Sequence, residues 1–145
     1  MTMDHAQVFE ISATGMQAQK LRLQVAAHNL ANINTVSGVD GTPYQPMRVV
    51  TKSFGRVDAQ GFNRAMGRAG VTAVVVPDTS AQPRLIHEPG HPNADANGMV
   101  RQPGVNHLEQ MMNINQALRA YEANVAAMQA AKAMATRALE IGGNN

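Results

Sequence analysis

Proline confines the fold before any other residue type does. All seven prolines lie between Pro43 and Pro103, and both ends of the chain are proline-free with an apolar residue at every seventh position. The N-terminal stripe is Phe9, Met16, Leu23 and Leu30. The C-terminal one is Met111, Leu118, Val125, then Lys132, then Leu139, with Ile114, Tyr121, Met128 and Ala135 interleaved. Alternating three- and four-residue steps place one seam of side chains along a helix, and a seam of that kind needs a partner. The pattern predicts a mainly α protein. For the long C-terminal helix the N-terminal helix is one available partner, other copies or other proteins are further ones, and a small, irregular β-rich insert lies between the two helices.

The composition agrees with helix-on-helix contact. Ten Met, three Phe, two Tyr and no Trp leave Ala, Val, Leu and Met as the apolar bulk. Alanine and methionine favour helices and give closely approaching, adaptable surfaces rather than an aromatic-lined pocket. A net charge of +2 gives no strong field to select a partner, and the lack of cysteine excludes disulfides and thiolate chemistry. No basic n-region followed by an apolar h-region marks a cleavable signal peptide, and no apolar run approaches the roughly 18 residues of a membrane span.

Three zones follow. Zone 1–35 starts at Asp4, a candidate N-cap with Gln7 three positions on, and closes in Asn29-Leu30-Ala31-Asn32-Ile33-Asn34-Thr35, where asparagines suit a helix end. Gly15 in its middle costs about 1 kcal/mol relative to alanine and reads either as a close approach or as a tolerated surface glycine. Zone 36–105 holds nine of the twelve glycines, with a turn at Asp40-Gly41 and strands expected over Met47–Phe54, Val71–Val76 and Arg84–Glu88. Zone 106–145 is one long helix from Asn106 to Ile141, with Asn106 as N-cap, Glu109 three residues later and Gly142-Gly143 at its end. Its alanines, from Ala117 to Ala138, allow close approach on more than one side.

No constellation signals catalysis. His87 and His91 with Glu88 and Asp95 have a metal-like spacing, but Pro89, Gly90 and Pro92 forbid the helix which that geometry requires, so they read as turn residues. His5 and His28 stand alone. Nucleophile-elbow, Walker and dinucleotide motifs are missing, and neither a cofactor nor a metal is expected. Arg48, Lys52, Arg56, Arg64 and Arg68, interleaved with Phe54 and Phe62, form a basic stretch. This leaves a small nucleic-acid-binding protein as the alternative function.

The residues also carry a resemblance. Ile11-Ser12-Ala13-Thr14-Gly15-Met16-Gln17-Ala18-Gln19, with Leu21-Arg22-Leu23 and Ala27-His28-Asn29-Leu30-Ala31-Asn32-Ile33-Asn34-Thr35, resembles the N-terminal signature of the bacterial flagellar rod and hook proteins. His87 to Pro92, Ala94 to Val100, Pro103-Gly104-Val105, Glu109-Gln110-Met111 and Ala117 to Asn124 are similar to the short proximal-rod branch of that family, as is the total length. Met99 and Gly104 depart from it, standing where the branch usually has tyrosine and asparagine. Residues from about Thr51 to Arg84 match no motif of the family.

The resemblance implies a structural subunit, not an enzyme, that polymerises helically with other rod proteins and with copies of itself into the periplasmic drive shaft of the flagellar basal body. It implies export in unfolded form by the flagellar type III apparatus, without a cleaved signal peptide, and termini that become ordered on assembly. The N- and C-terminal helices would pair as a coiled-coil-like bundle that forms an inner layer, with the irregular β insert outside. The expected assembly residues are Phe9, Met16, Leu23, Leu30, Asn29, Asn32, Met111, Ile114, Leu118, Tyr121, Val125, Met128 and Leu139. Neither nucleic acid nor a membrane span belongs to this reading.

Overall fold

The computed structural model describes residues 5–37, 41–54 and 69–142. The element order is α1 (His5–Ala31), β1 (Met47–Phe54), β2 (Gly70–Pro77), β3 (Arg84–His87), β4 (Met99–Gln102) and α2 (His107–Gly142). Two terminal helices with a small β insert between them are what the proline distribution predicts. The N-cap at Asp4, most of the basic stretch (Arg56, Arg64, Arg68, with Phe62) and the Asp40 half of the first turn lie outside the described residues. Of that turn, Gly41 has φ +70°, a left-handed conformation that glycine adopts without steric cost.

The long helix starts as its sequence dictates. The Asn106 side-chain oxygen accepts from Leu108 N at 3.0 Å and from Glu109 N at 3.4 Å, satisfying two of the amides that a helix start leaves without partners. The 36 residues of α2 give a rod about 54 Å long at 1.5 Å per residue.

β1 and β2 form one two-stranded sheet, and β3 and β4 another. The second is antiparallel, pairing Arg84 with Gln102 and His87 with Met99. β4 is an element that the sequence does not announce. Met-Val-Arg-Gln holds a single β-branched residue, and the strand exists because β3 supplies its partner. Between them, the Asp95 carboxylate accepts from Asn97 N and Met99 N, both at 2.8 Å, and His91 Nδ1 accepts from Asn93 N at 3.1 Å. The acid and the imidazole that suggested a metal spacing therefore organise turns.

The chain divides into two compact units, each drawing on α1, the insert and α2. The first comprises residues 1–21, 51–74 and 116–145; its most buried residues include Ser12, Ala18, Ala117 and Ala131. The second comprises residues 22–50 and 75–115; it buries Ala26, Asn29, Val100, Pro103, Val105 and Gln110. Among the described residues neither core buries a large ring, as the composition implies.

Candidate assembly interface

In the second unit, Asn29 fastens α1. Asn29, 2% exposed, uses its whole amide: Nδ2 donates to Met47 O at 2.7 Å and to Gln110 Oε1 at 3.2 Å. Its Oδ1 accepts from Met47 N at 3.0 Å and from the Tyr44 hydroxyl at 2.9 Å. Four bonds exhaust the two donors and two acceptor sites of an asparagine side chain. Asn29 thus joins α1 to the start of β1, to the loop before it and to the first turns of α2.

The neighbouring histidine is part of the same cluster. His28 Nδ1 lies 2.8 Å from the Tyr44 hydroxyl, with the two rings tilted by 49°. Because the hydroxyl hydrogen is committed to Asn29, His28 Nδ1 carries the hydrogen of the second bond. This corrects the reading of His28 as a residue standing alone. Its partner Tyr44 lies sixteen positions away, and nothing in the local sequence links them. Burial raises the Tyr44 phenol above its ordinary value and keeps it in the neutral form that can donate.

Asn32, the second asparagine of the signature, ends the helix. Its Nδ2 donates to His28 O at 2.8 Å, its own backbone N–H is shared between the carbonyls of His28 and Asn29, and its Oδ1 accepts from Thr35. One asparagine ties the helix down and the other closes its exposed carbonyls.

In the first unit, the contact between the helices is a close approach. A Cβ built on Gly15 would lie 2.9 Å from Asn124 Oδ1, so the α1 backbone is within reach of an α2 side chain only because residue 15 has none. Asn124 is itself held, donating from Nδ2 to Ala120 O at 2.8 Å. Of the two readings open for Gly15, the structure selects the close approach. Thr14 fastens the same turn to the insert: its hydroxyl donates to Ile11 O and accepts from Val71 N at 3.1 Å. A side chain at Gly70 would strike that hydroxyl and the Phe54 ring.

These contacts locate the seam that closes within the chain. On α2 it comprises Gln110, Ala117, Asn124 and Ala131, buried or half-buried at every seventh position, with Ile114, Met128 and Ala135 half-buried between them. The large apolar stripe lies one residue further on, about 100° round the helix. There Met111 is 39% exposed, Leu118 43% and Leu139 76%, Val125 is half-buried and Lys132 is exposed. Tyr121 is exposed beside the closed seam. On α1, Phe9, Met16, Leu23 and Leu30 are all half-buried, as are Val8, Gly15 and Arg22 one residue before the first three, while Asn29 before Leu30 is buried. The chain therefore closes on small and amide residues and leaves its largest apolar side chains on α2 open to a partner.

Of the basic stretch, Arg48 and Lys52 are exposed on β1. Among the described residues no group of His, Asp and Glu could hold a metal ion, and no helix is long and apolar enough to cross a membrane.

A bundle of terminal helices joined through Asn-Leu-Ala-Asn, with an apolar face left open, fits the two family models that the chain matches. Residues 9–38 match the flagella basal body rod protein model, and residues 96–141 match the flagellar basal body rod FlgEFG protein C-terminal model. These define the class as flagellar rod proteins. The chain is 40% identical over 137 residues to the flagellar basal-body rod protein FlgC of Salmonella typhimurium, covering 93% of this chain and 96% of the relative. It is 36% identical over 151 residues to the protein of that name in Bacillus subtilis, covering 98% and 99%, and 32% identical over 140 residues to that of Aquifex aeolicus, covering 95% and 97%. The chain belongs to the FlgC family of flagellar basal-body rod proteins, and its role is that of a structural rod subunit of the flagellar basal body.

Proposed function

We propose that this chain builds the proximal part of the rod, polymerising helically with other rod proteins and with its own copies into the shaft that transmits torque. The observation that carries this reading is the open apolar stripe on α2. Met111 and Leu118 stay accessible while Gln110 and Ala117, one position earlier on each, are buried, and Leu139 further along the same stripe is 76% exposed. A stripe of that size is costly to leave in water, and burial against neighbouring helices recovers roughly 1.5–3 kcal/mol for each large side chain. Residues 1–35 and 106–145 form the inner rod layer, and residues 36–105 form the outer insert. Asn29 and Asn32 act from within the subunit by holding α1 where Phe9, Met16, Leu23 and Leu30 can meet neighbours. Val125 continues the stripe on α2, and Ile114, Tyr121 and Met128 border it.

The subunit reaches the periplasm through the flagellar type III export apparatus, without a cleaved signal peptide. One feature supports the route: a cysteine-free chain meets no redox hazard in crossing compartments. The test is a strain whose only copy of this gene carries Leu118→Asp. Rod incorporation is expected to be lost while secretion persists; an intact rod would overturn the reading.

A further inference from the structure

The two ends of α2 are chemically complementary. At its start, an open groove of about 540 Å³ is lined by Ile33, Val105 and Leu108, with Arg84 and His107 also on its wall. All of these residues belong to the second compact unit. The floor is shaped by Gly104, whose missing side chain lets the backbone pass against Gln82; any Cβ there would collide with the Gln82 carbonyl. The Arg84 guanidinium bonds Val105 O at 3.3 Å, using one of its five donors. Leu108 is 68% exposed.

At the other end, Leu139 and Ile141 are 76% and 79% exposed, with the exposed Glu140 carboxylate between them. These two and Leu108 are the three most exposed large apolar side chains among the described residues. The last turn of α2 carries no basic residue, so its terminal carbonyls and their negative partial charge have no cation from their own helix.

We infer that the groove at the start of α2 receives the Leu139-Glu140-Ile141 end of α2 from a second copy of this chain. Leu139 buries against Ile33 and Leu108, and Glu140, about 100° round the helix, pairs with Arg84. The positive N-terminal end of one helix meets the negative C-terminal end of the next, so the two macrodipoles align favourably. A contact between different surfaces of identical subunits is heterologous, and repetition generates a ring or an open helix. The inference rests on the proposal that the chain polymerises in the rod, and it names one of the surfaces used.

The test places the photo-reactive residue p-benzoylphenylalanine at Leu108 in the full chain and irradiates basal bodies isolated from cells that have no other copy. The expected result is an adduct between two copies of this chain, mapped by mass spectrometry to residues 137–142. An adduct to another protein or another segment, or basal bodies that contain the chain but yield no adduct, would overturn it. Charge reversal is read separately with a cysteine pair, which does not depend on the labelled chain. In cells co-expressing Gln82→Cys and Gly142→Cys chains, otherwise cysteine-free, Arg84→Glu in the first or Glu140→Arg in the second is expected to lower the oxidised dimer roughly fivefold. Both together are expected to restore it. No dimer in the unreversed pair, or no loss on reversal, overturns the inference, whereas the chain's absence from wild-type basal bodies would overturn the rod proposal instead.

Discussion

Asn29 and Gln110 stand 81 positions apart in sequence, and their side-chain amides share a hydrogen bond of 3.2 Å. Gly15 and Asn124 make the corresponding approach in the other compact unit. The two contacts are fourteen positions apart on α1 and fourteen on α2, in opposite order. Each unit therefore shows the same helix register, and both times an amide side chain marks it. A polar residue in a seam specifies register because a shifted pairing leaves it without its partner.

Removing the Asn29 amide strips Met47 N–H and C=O of their partner in a part-buried setting and takes the donor from the buried Gln110 side chain. Asn29→Ala is expected to cost about 3 kcal/mol, from buried polar groups left unsatisfied at about 1–3 kcal/mol each. Urea unfolding followed by circular dichroism measures it. Asn29→Asp keeps the acceptor oxygens but loses both donors, and is expected to fall between wild type and Asn29→Ala.

At Gly15 the sign of a substitution depends on its neighbour. Gly15→Ala gains about 1 kcal/mol of helix propensity but drives a methyl to 2.9 Å from Asn124 Oδ1. In the Asn124→Ala background the clash is gone. There the same change is expected to stabilise by about 1 kcal/mol, with little or no gain in wild type. A double-mutant cycle on the urea midpoint reads the difference.

Gly104 tolerates nothing larger. Gly104→Ala is expected to destabilise by about 3 kcal/mol or to rearrange the entry to α2, because the obstacle is Gln82 backbone rather than a movable side chain. Gly90, where a Cβ would meet nothing within 4 Å, is the matched control, and Gly90→Ala is expected to be nearly neutral. Thermal unfolding of the two variants side by side checks this.

Tyr44 couples the Asn29 cluster to alkaline pH. Burial raises its pKa above 10.0, so the folded chain favours the neutral phenol. That contribution is complete below pH 10.0 and is lost as pH rises through the folded value. Stability is expected to fall across that range more steeply in wild type than in Tyr44→Phe, measured as urea midpoints at stepped pH. Asp78 acts at the other end: its carboxyl is lowered chiefly by the hydrogen bond from the Ser80 hydroxyl, so its small contribution is present above pH 3.8 and lost as pH falls through the lowered value.

The helices, the strand Met47–Phe54 and the Asn106 cap were legible because local rules fix them: proline exclusion, a β-branched run and an asparagine before an apolar repeat. The identity of the closed seam was not. Hydropathy selects Met111 and Leu118, but the distance between the helices selects Ala117, Asn124 and Gly15, whose burial depends on what faces them. β4 and the pairing of His28 with Tyr44 were hidden for the same reason, since each is created by a partner distant in sequence. Asn29 and Asn32 were legible as a helix end, but the tie from Asn29 to Met47, Tyr44 and Gln110 was not, and these hydrogen bonds supply the physical reason for the motif.

The most direct test of the division between a closed seam and an open stripe compares Leu118→Asp with wild type in purified basal bodies. Quantitative mass spectrometry reads the amount of this chain, and circular dichroism of the purified variant reads its helicity. The expected result is a chain as helical as wild type but absent from the rod. A Leu118→Asp chain present at wild-type level would contradict the assignment of that stripe to assembly.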